Sequence, residues 1–99
     1  LVSAGYDTHR DDPIGGLRFS EAGYAHMALR CLRLAQQSAA GKLALALEGG
    51  YQLSALGRSV EATLRALCEE RAPAIGAASS RTYELVERVR QAQCRYWDI

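Results

Sequence analysis

The sequence predicts an α/β fold built on a mostly parallel sheet, and three observations carry that expectation. Leu43-Ala44-Leu45-Ala46-Leu47 is apolar at five successive positions, the pattern of a strand covered on both faces. The periodic segments follow the order strand, loop, helix, strand, helix, which joins two strands by a crossover of the parallel kind. Each strand runs at once into glycine and polar residues, at the carboxyl ends where open α/β sheets bind their ligands.

Taken in order, Leu1-Val2-Ser3-Ala4-Gly5 is a short apolar run that stops at Gly5. Tyr6 to Phe19 is a polar stretch with glycine and proline, and loops of that length are usually functional. Ser20 is a suitable N-cap. Beyond it Tyr24, Met27, Ala28, Cys31 and Ala35 fall at helical spacing, and Gly41 marks the end of that helix. His26 lies inside it and reads as structural. After the second strand and Glu48-Gly49-Gly50-Tyr51, Ser54 is the expected cap of a helix that carries Leu53, Leu56, Val60, Leu64 and Leu67. Pro73 and the small residues up to Ser80 read as a linker, and a last helix carries Leu85, Val89, Ala92 and Tyr96. The division is therefore 1–70 with the motifs, 71–80 as linker and 81–99 as terminal helix, all within one part-domain, 1–99. Two strands are too few for a stable sheet, and Leu1 opens an apolar run without an initiator methionine. The chain is expected to be the edge of something larger.

Composition excludes several classes. The chain has 99 residues, 48% hydrophobic and 23% charged, with a net charge of +1, unlike a disordered tail or a polyanion-binding arm. Its arginines form no stripe, so no direct nucleic-acid partner is expected. No apolar run reaches the roughly 20 residues that cross a bilayer, so no membrane partner is expected either. Three cysteines without a Cys-x-x-Cys pair fit a reducing compartment, hence a cytoplasmic location, and read as small core hydrophobes. Oligomerisation is left open.

The chemistry gathers after the two strands. Asp7 reads either as the cap of a turn or as a hard oxygen donor for a divalent cation. His9 could pair with it, or lie behind the site or at the surface. Asp11 and Asp12 before Pro13 have ordinary turn composition. Gly49-Gly50 lets backbone approach a ligand, or simply makes a tight turn, or forms an anion loop at a helix start. Tyr51 can present a phenol to the same crevice as Asp7, or pack.

Ser3-Ala4-Gly5-Tyr6-Asp7, Asp12-Pro13-Ile14-Gly15-Gly16, Gly23-Tyr24-Ala25 and Leu47-Glu48-Gly49-Gly50-Tyr51 together resemble the C-terminal third of the zinc-dependent histone deacetylase family. The Glu before the two glycines resembles its class II and bacterial branch, which includes acetylpolyamine amidohydrolases and acetoin-utilisation proteins. The resemblance implies a three-layer α/β/α domain of the arginase/deacetylase kind, of which this chain is the C-terminal edge. It implies zinc-dependent hydrolysis of an acyl-lysine or acylpolyamine. Asp7 would be a zinc ligand, Tyr51 the catalytic hydrogen-bond donor to the substrate carbonyl, Ile14 a wall of the acyl-lysine channel, and Gly49 and Gly50 the backbone beside it. Tyr6 stands where Phe is common and Gln52 where Asn is common. The family's Asp-x-His ligand pair and its tandem histidines have no counterpart here, since His9 and His26 stand apart. The chain alone is therefore expected to be inactive and to need the N-terminal part of the domain as its partner. The competing expectation is a non-catalytic or phosphate-binding α/β fragment using the Gly49-Gly50 turn.

Overall fold

In the computed structural model, which describes residues 1–98, strand β1 (Val2–Ala4) lies parallel to strand β2 (Leu45–Leu47). Val2 stands opposite Leu45, Ser3 opposite Ala46 and Ala4 opposite Leu47. Backbone pairing continues beyond both ends. The Val2 amide donates to the Ala44 carbonyl at 2.8 Å, Glu48 to Ala4 at 3.1 Å and Tyr6 to Gly49 at 2.8 Å. Side chains alternate across a strand, so Val2, Ala4 and Leu45 share one face while Ser3 and Ala46 point out on the other.

Helix α1 (Glu21–Ser38) and helix α2 (Leu53–Glu69) pack against each other. Both stand over the face that carries Ala4 and Leu45. The opposite face of the sheet has no helix over it among the described residues, so Ala46 is exposed. The strand expected to be covered on both sides is covered on one, and the chain forms two layers of the expected three. Helix α3 (Ser80–Gln93) buries none of its residues.

Small residues make the helix–helix contact. Ala25, Ala28 and Ala35 are buried in α1, and Ala55, Ser59, Thr63 and Ala66 in α2. Close approach of two helices favours short side chains there, so several large ones expected in the core lie outside it. Met27, Leu53 and Leu64 are exposed. Met27 and the half-buried Cys31 line an apolar cavity of about 250 Å³ between sheet and α1. Cys68 and Cys94 are exposed, which corrects the reading of all three cysteines as core hydrophobes.

Ser20 caps α1 as expected, its hydroxyl accepting from the Gly23 amide. Gly41 closes that helix, donating from its amide to the Ala35 carbonyl. Ser54 does not cap α2. The cap is Gln52, whose side-chain oxygen accepts from the Ala55 amide, and the Ser54 hydroxyl accepts from Arg58 instead, at 2.8 Å.

The long loop after β1 is closed on itself. His9 and Phe19 form a parallel bridge, with Phe19 donating to the Thr8 carbonyl and Arg10 to the Phe19 carbonyl, both at 3.0 Å. Tyr24 of α1 holds the loop from below. Its ring lies 4.9 Å from that of Tyr6 and 5.0 Å from that of Phe19. Its hydroxyl donates to the Tyr6 carbonyl and lies 2.6 Å from that of Thr8, and burial pushes its pKa up. The buried Tyr6 hydroxyl donates to Thr63 on α2 at 3.1 Å.

An ionic group ties loop, α1 and α2 together. Arg58 donates to Glu21 at 2.7 Å and to Asp11 at 3.0 Å, and Arg10 lies 3.6 Å from Glu21. The Arg58 guanidinium brings the Glu21 pKa down to about 2 from 4.5. A carboxylate with a depressed folded-state pKa stabilises the fold above its unfolded value, and that contribution is lost as pH falls toward the folded one. The gap in urea midpoint between wild type and Glu21→Gln is therefore expected to be widest above about pH 5 and to close as pH is lowered. A gap that does not change with pH would place the stabilisation elsewhere.

Candidate functional site

Asp7 comes immediately after the last rung, in which the Tyr6 amide donates to the Gly49 carbonyl. It is half-buried. Its carboxylate has no hydrogen-bond or ion-pair partner among the described residues, which sets it apart from a turn cap, since a cap accepts backbone amides. Two glycines leave room for it. A Cβ on Gly49 would come within 3.0 Å of the Asp7 carboxylate carbon, and one on Gly5 within 3.1 Å of a carboxylate oxygen. Gly15 fixes the backbone beneath, because a Cβ there would lie 1.8 Å from the Asp7 carbonyl oxygen. Any side chain at position 15 would displace the loop that presents Asp7, a constraint that the sequence showed only as one more glycine in a turn.

The loop after β2 lies alongside. Gly50 has φ +137, a region L-residues rarely adopt, and a Cβ there would meet Leu56 at 2.8 Å and the Tyr6 Cβ at 3.2 Å. Gly49 thus gives the Asp7 carboxylate its room, which a Cβ would tighten, while Gly50 is required by its backbone conformation. Tyr51 follows with its side chain 57% exposed and its phenol unpartnered among the described residues. Ile14 is 66% exposed on the neighbouring loop.

Asp12 joins the two loops. One carboxylate oxygen accepts from the Ile14 amide at 3.0 Å, and the other from Tyr51 at 2.7 Å and Gln52 at 3.1 Å. Burial pushes its pKa up, but the backbone amides of Tyr51, Ile14, Gln52 and Gly15 outweigh that and hold it below the usual carboxylate value. Turn composition accounts for the Ile14 bond. It gives no sign of the contact with Tyr51, 39 residues away. Asp7, Ile14, Gly49, Gly50 and Tyr51 therefore lie on the two loops that follow the strands, which Asp12 ties together.

His9 is fully buried rather than at the surface. Its Nδ1 accepts from the Asp11 amide at 3.0 Å, which leaves the proton of the neutral ring on Nε2, 3.4 Å from Glu21. That contact sets the buried His9 ring against the edge of the ionic group. His26 bonds the Pro73 carbonyl through Nε2 at 2.7 Å and is structural as expected. No group of three metal-ligating side chains occurs among the described residues. Asp7 fits one place in a zinc site, while a catalytic zinc takes three protein ligands; the described residues do not complete that set.

Residues 1–67 match the family described as the histone deacetylase domain. Among curated proteins, the chain is 39% identical over 103 residues to histone deacetylase 18 of Arabidopsis thaliana, and 37% identical over 100 residues to the polyamine deacetylase HDAC10 of Danio rerio. Each alignment covers 98% of this chain and 14% of the relative. Among solved structures, it superposes on the histone deacetylase Clr3 with a TM-score of 0.74 at 28% identity, covering 95% of this chain and 16% of the other. On the HDA15 HD domain the TM-score is 0.69 at 29% identity, covering 96% of this chain and 24% of the other. The chain thus spans about one seventh of the length of the curated relatives it matches.

Proposed function

This chain belongs to the histone deacetylase family, and from that premise we propose that it contributes one side of the active site of a zinc-dependent deacetylase acting on acyl-lysine or acylpolyamine. The observation that carries the proposal is an unpartnered carboxylate, Asp7, after one strand and an exposed phenol, Tyr51, after its neighbour, on loops joined by Asp12.

Asp7 supplies one oxygen ligand to zinc, and the remaining ligands come from segments outside these 99 residues. Zinc, when bound, supplies Lewis acidity and lowers the pKa of water. Tyr51 donates its phenolic proton in a hydrogen bond to the substrate carbonyl oxygen and holds that bond as negative charge develops there, a role that mutagenesis of such donors values at a few kcal/mol. Gly49 and Gly50 keep the backbone low beside the substrate. The isolated chain offers one such ligand and no tandem histidine pair, and so is expected to be inactive alone.

A phosphate-binding reading is disfavoured by Asp12. The amides of Tyr51 and Gln52 at the start of α2, where an anion would bind, already hold a carboxylate of the chain itself.

Ile14 bears on the amine carrier. An acyl-lysine presents a neutral alkyl stem that Ile14 can cover by apolar burial. A polyamine carries an ammonium along that stretch, and burying it beside Ile14 without a partner is costly. The complete domain is therefore expected to prefer acetyl-lysine peptide over acetylspermidine in kcat/KM, and Ile14→Glu to move the ratio toward the polyamine. An unchanged ratio would take Ile14 out of the channel. Turnover of neither substrate by the complete, zinc-loaded domain would refute the proposed function.

A further inference from the structure

We propose that Asp12 is a positioning residue of this site, one carboxylate that fixes the Tyr51 donor relative to the Ile14 wall. The inference rests on the deacetylase reading and deepens it.

Tyr51 needs external support, because its exposed side chain makes no hydrogen bond among the described residues. Its placement therefore depends on its backbone. That backbone sits between Gly50, at a φ few residues adopt, and the start of α2 at Leu53. The Asp12 bonds to the Tyr51 and Gln52 amides fix this junction, and the bond from the Ile14 amide ties the same carboxylate to the other loop. Three charge-assisted bonds converge on one group. The negative charge also lies at the N-terminal end of α2, where the helix dipole favours it. Among the described residues no other side-chain hydrogen bond joins the Asp12–Gly16 turn to the loop after β2.

Asparagine is close to aspartate in shape but offers one acceptor oxygen, and its amide nitrogen would face a backbone N–H. Asp12→Asn should keep one side of the clamp and lose the other. A catalytic donor displaced by a fraction of an ångström loses rate, whereas a residue important only for the fold lowers activity regardless of what stands at position 51.

The test is a double-mutant cycle in the complete zinc-loaded domain, read with amide hydrogen exchange. Asp12→Asn is expected to lower kcat about 10- to 100-fold with zinc content unchanged. In a Tyr51→Phe background the same change is expected to cost less than about 3-fold, because the group it positions is already gone. Exchange at the Tyr51 and Gln52 amides should quicken in Asp12→Asn. Equal losses in both backgrounds, or unchanged kcat, would overturn the proposal, as would unchanged exchange at those amides. If Tyr51→Phe alone has full activity, the deacetylase reading of Tyr51 fails instead, and the positioning role falls with it even where the exchange data show the clamp.

Discussion

In the complete domain, Tyr51→Phe is expected to lower kcat by about 10²–10³, the usual effect of removing one oxyanion donor, with zinc content and KM little changed. The phenol bonds to nothing among the described residues, so its loss removes no contact that holds the fold. A donor that acts mainly as charge develops affects the transition state more than the ground state, so the loss falls on kcat. Full activity in Tyr51→Phe would show that the oxyanion is stabilised by another group.

Asp7→Asn is expected to lower activity by more than about 100-fold. Loss of a group that merely orients a metal ligand costs about 10–100-fold in affinity or activity, and loss of a ligand should exceed that. Asparagine keeps the shape that Gly5 and Gly49 accommodate, so the fold has no reason to change. Near wild-type turnover in Asp7→Asn would remove Asp7 from the metal.

The placement of Asp7 and Tyr51 on the loops after the strands was legible because each comes soon after an apolar run, and strand ends are where α/β sheets bind their ligands. The parallel order was legible from the helical segment between the two strands, the crossover that parallel strands need. Side-chain size misled the reading of the core. Leu53 and Leu64 follow helical spacing, but α2 buries Ala55, Ser59, Thr63 and Ala66 instead, because small residues let helices approach. Whether a sheet face is covered is a long-range fact, and a run such as Leu43 to Leu47 reports only its own hydropathy.

Asp12 and His9 were illegible for a related reason. An aspartate before proline is fully explained by a turn, and its bonds to Tyr51 and Gln52 exist only once β1 and β2 pair. His9 reads as a polar loop residue until the His9–Phe19 bridge and Glu21 enclose it. In both cases the partner lies outside the window in which periodicity or turn chemistry operates.

The measurement that tests the account most directly is the zinc content of three purified proteins by elemental analysis: this chain alone, the complete domain, and the complete domain with Asp7→Asn. Asp7 as one ligand of a shared site predicts no stoichiometric zinc in the chain alone, one equivalent in the complete domain, and its loss on substitution. One equivalent held by the chain alone, or retained by Asp7→Asn, would contradict it.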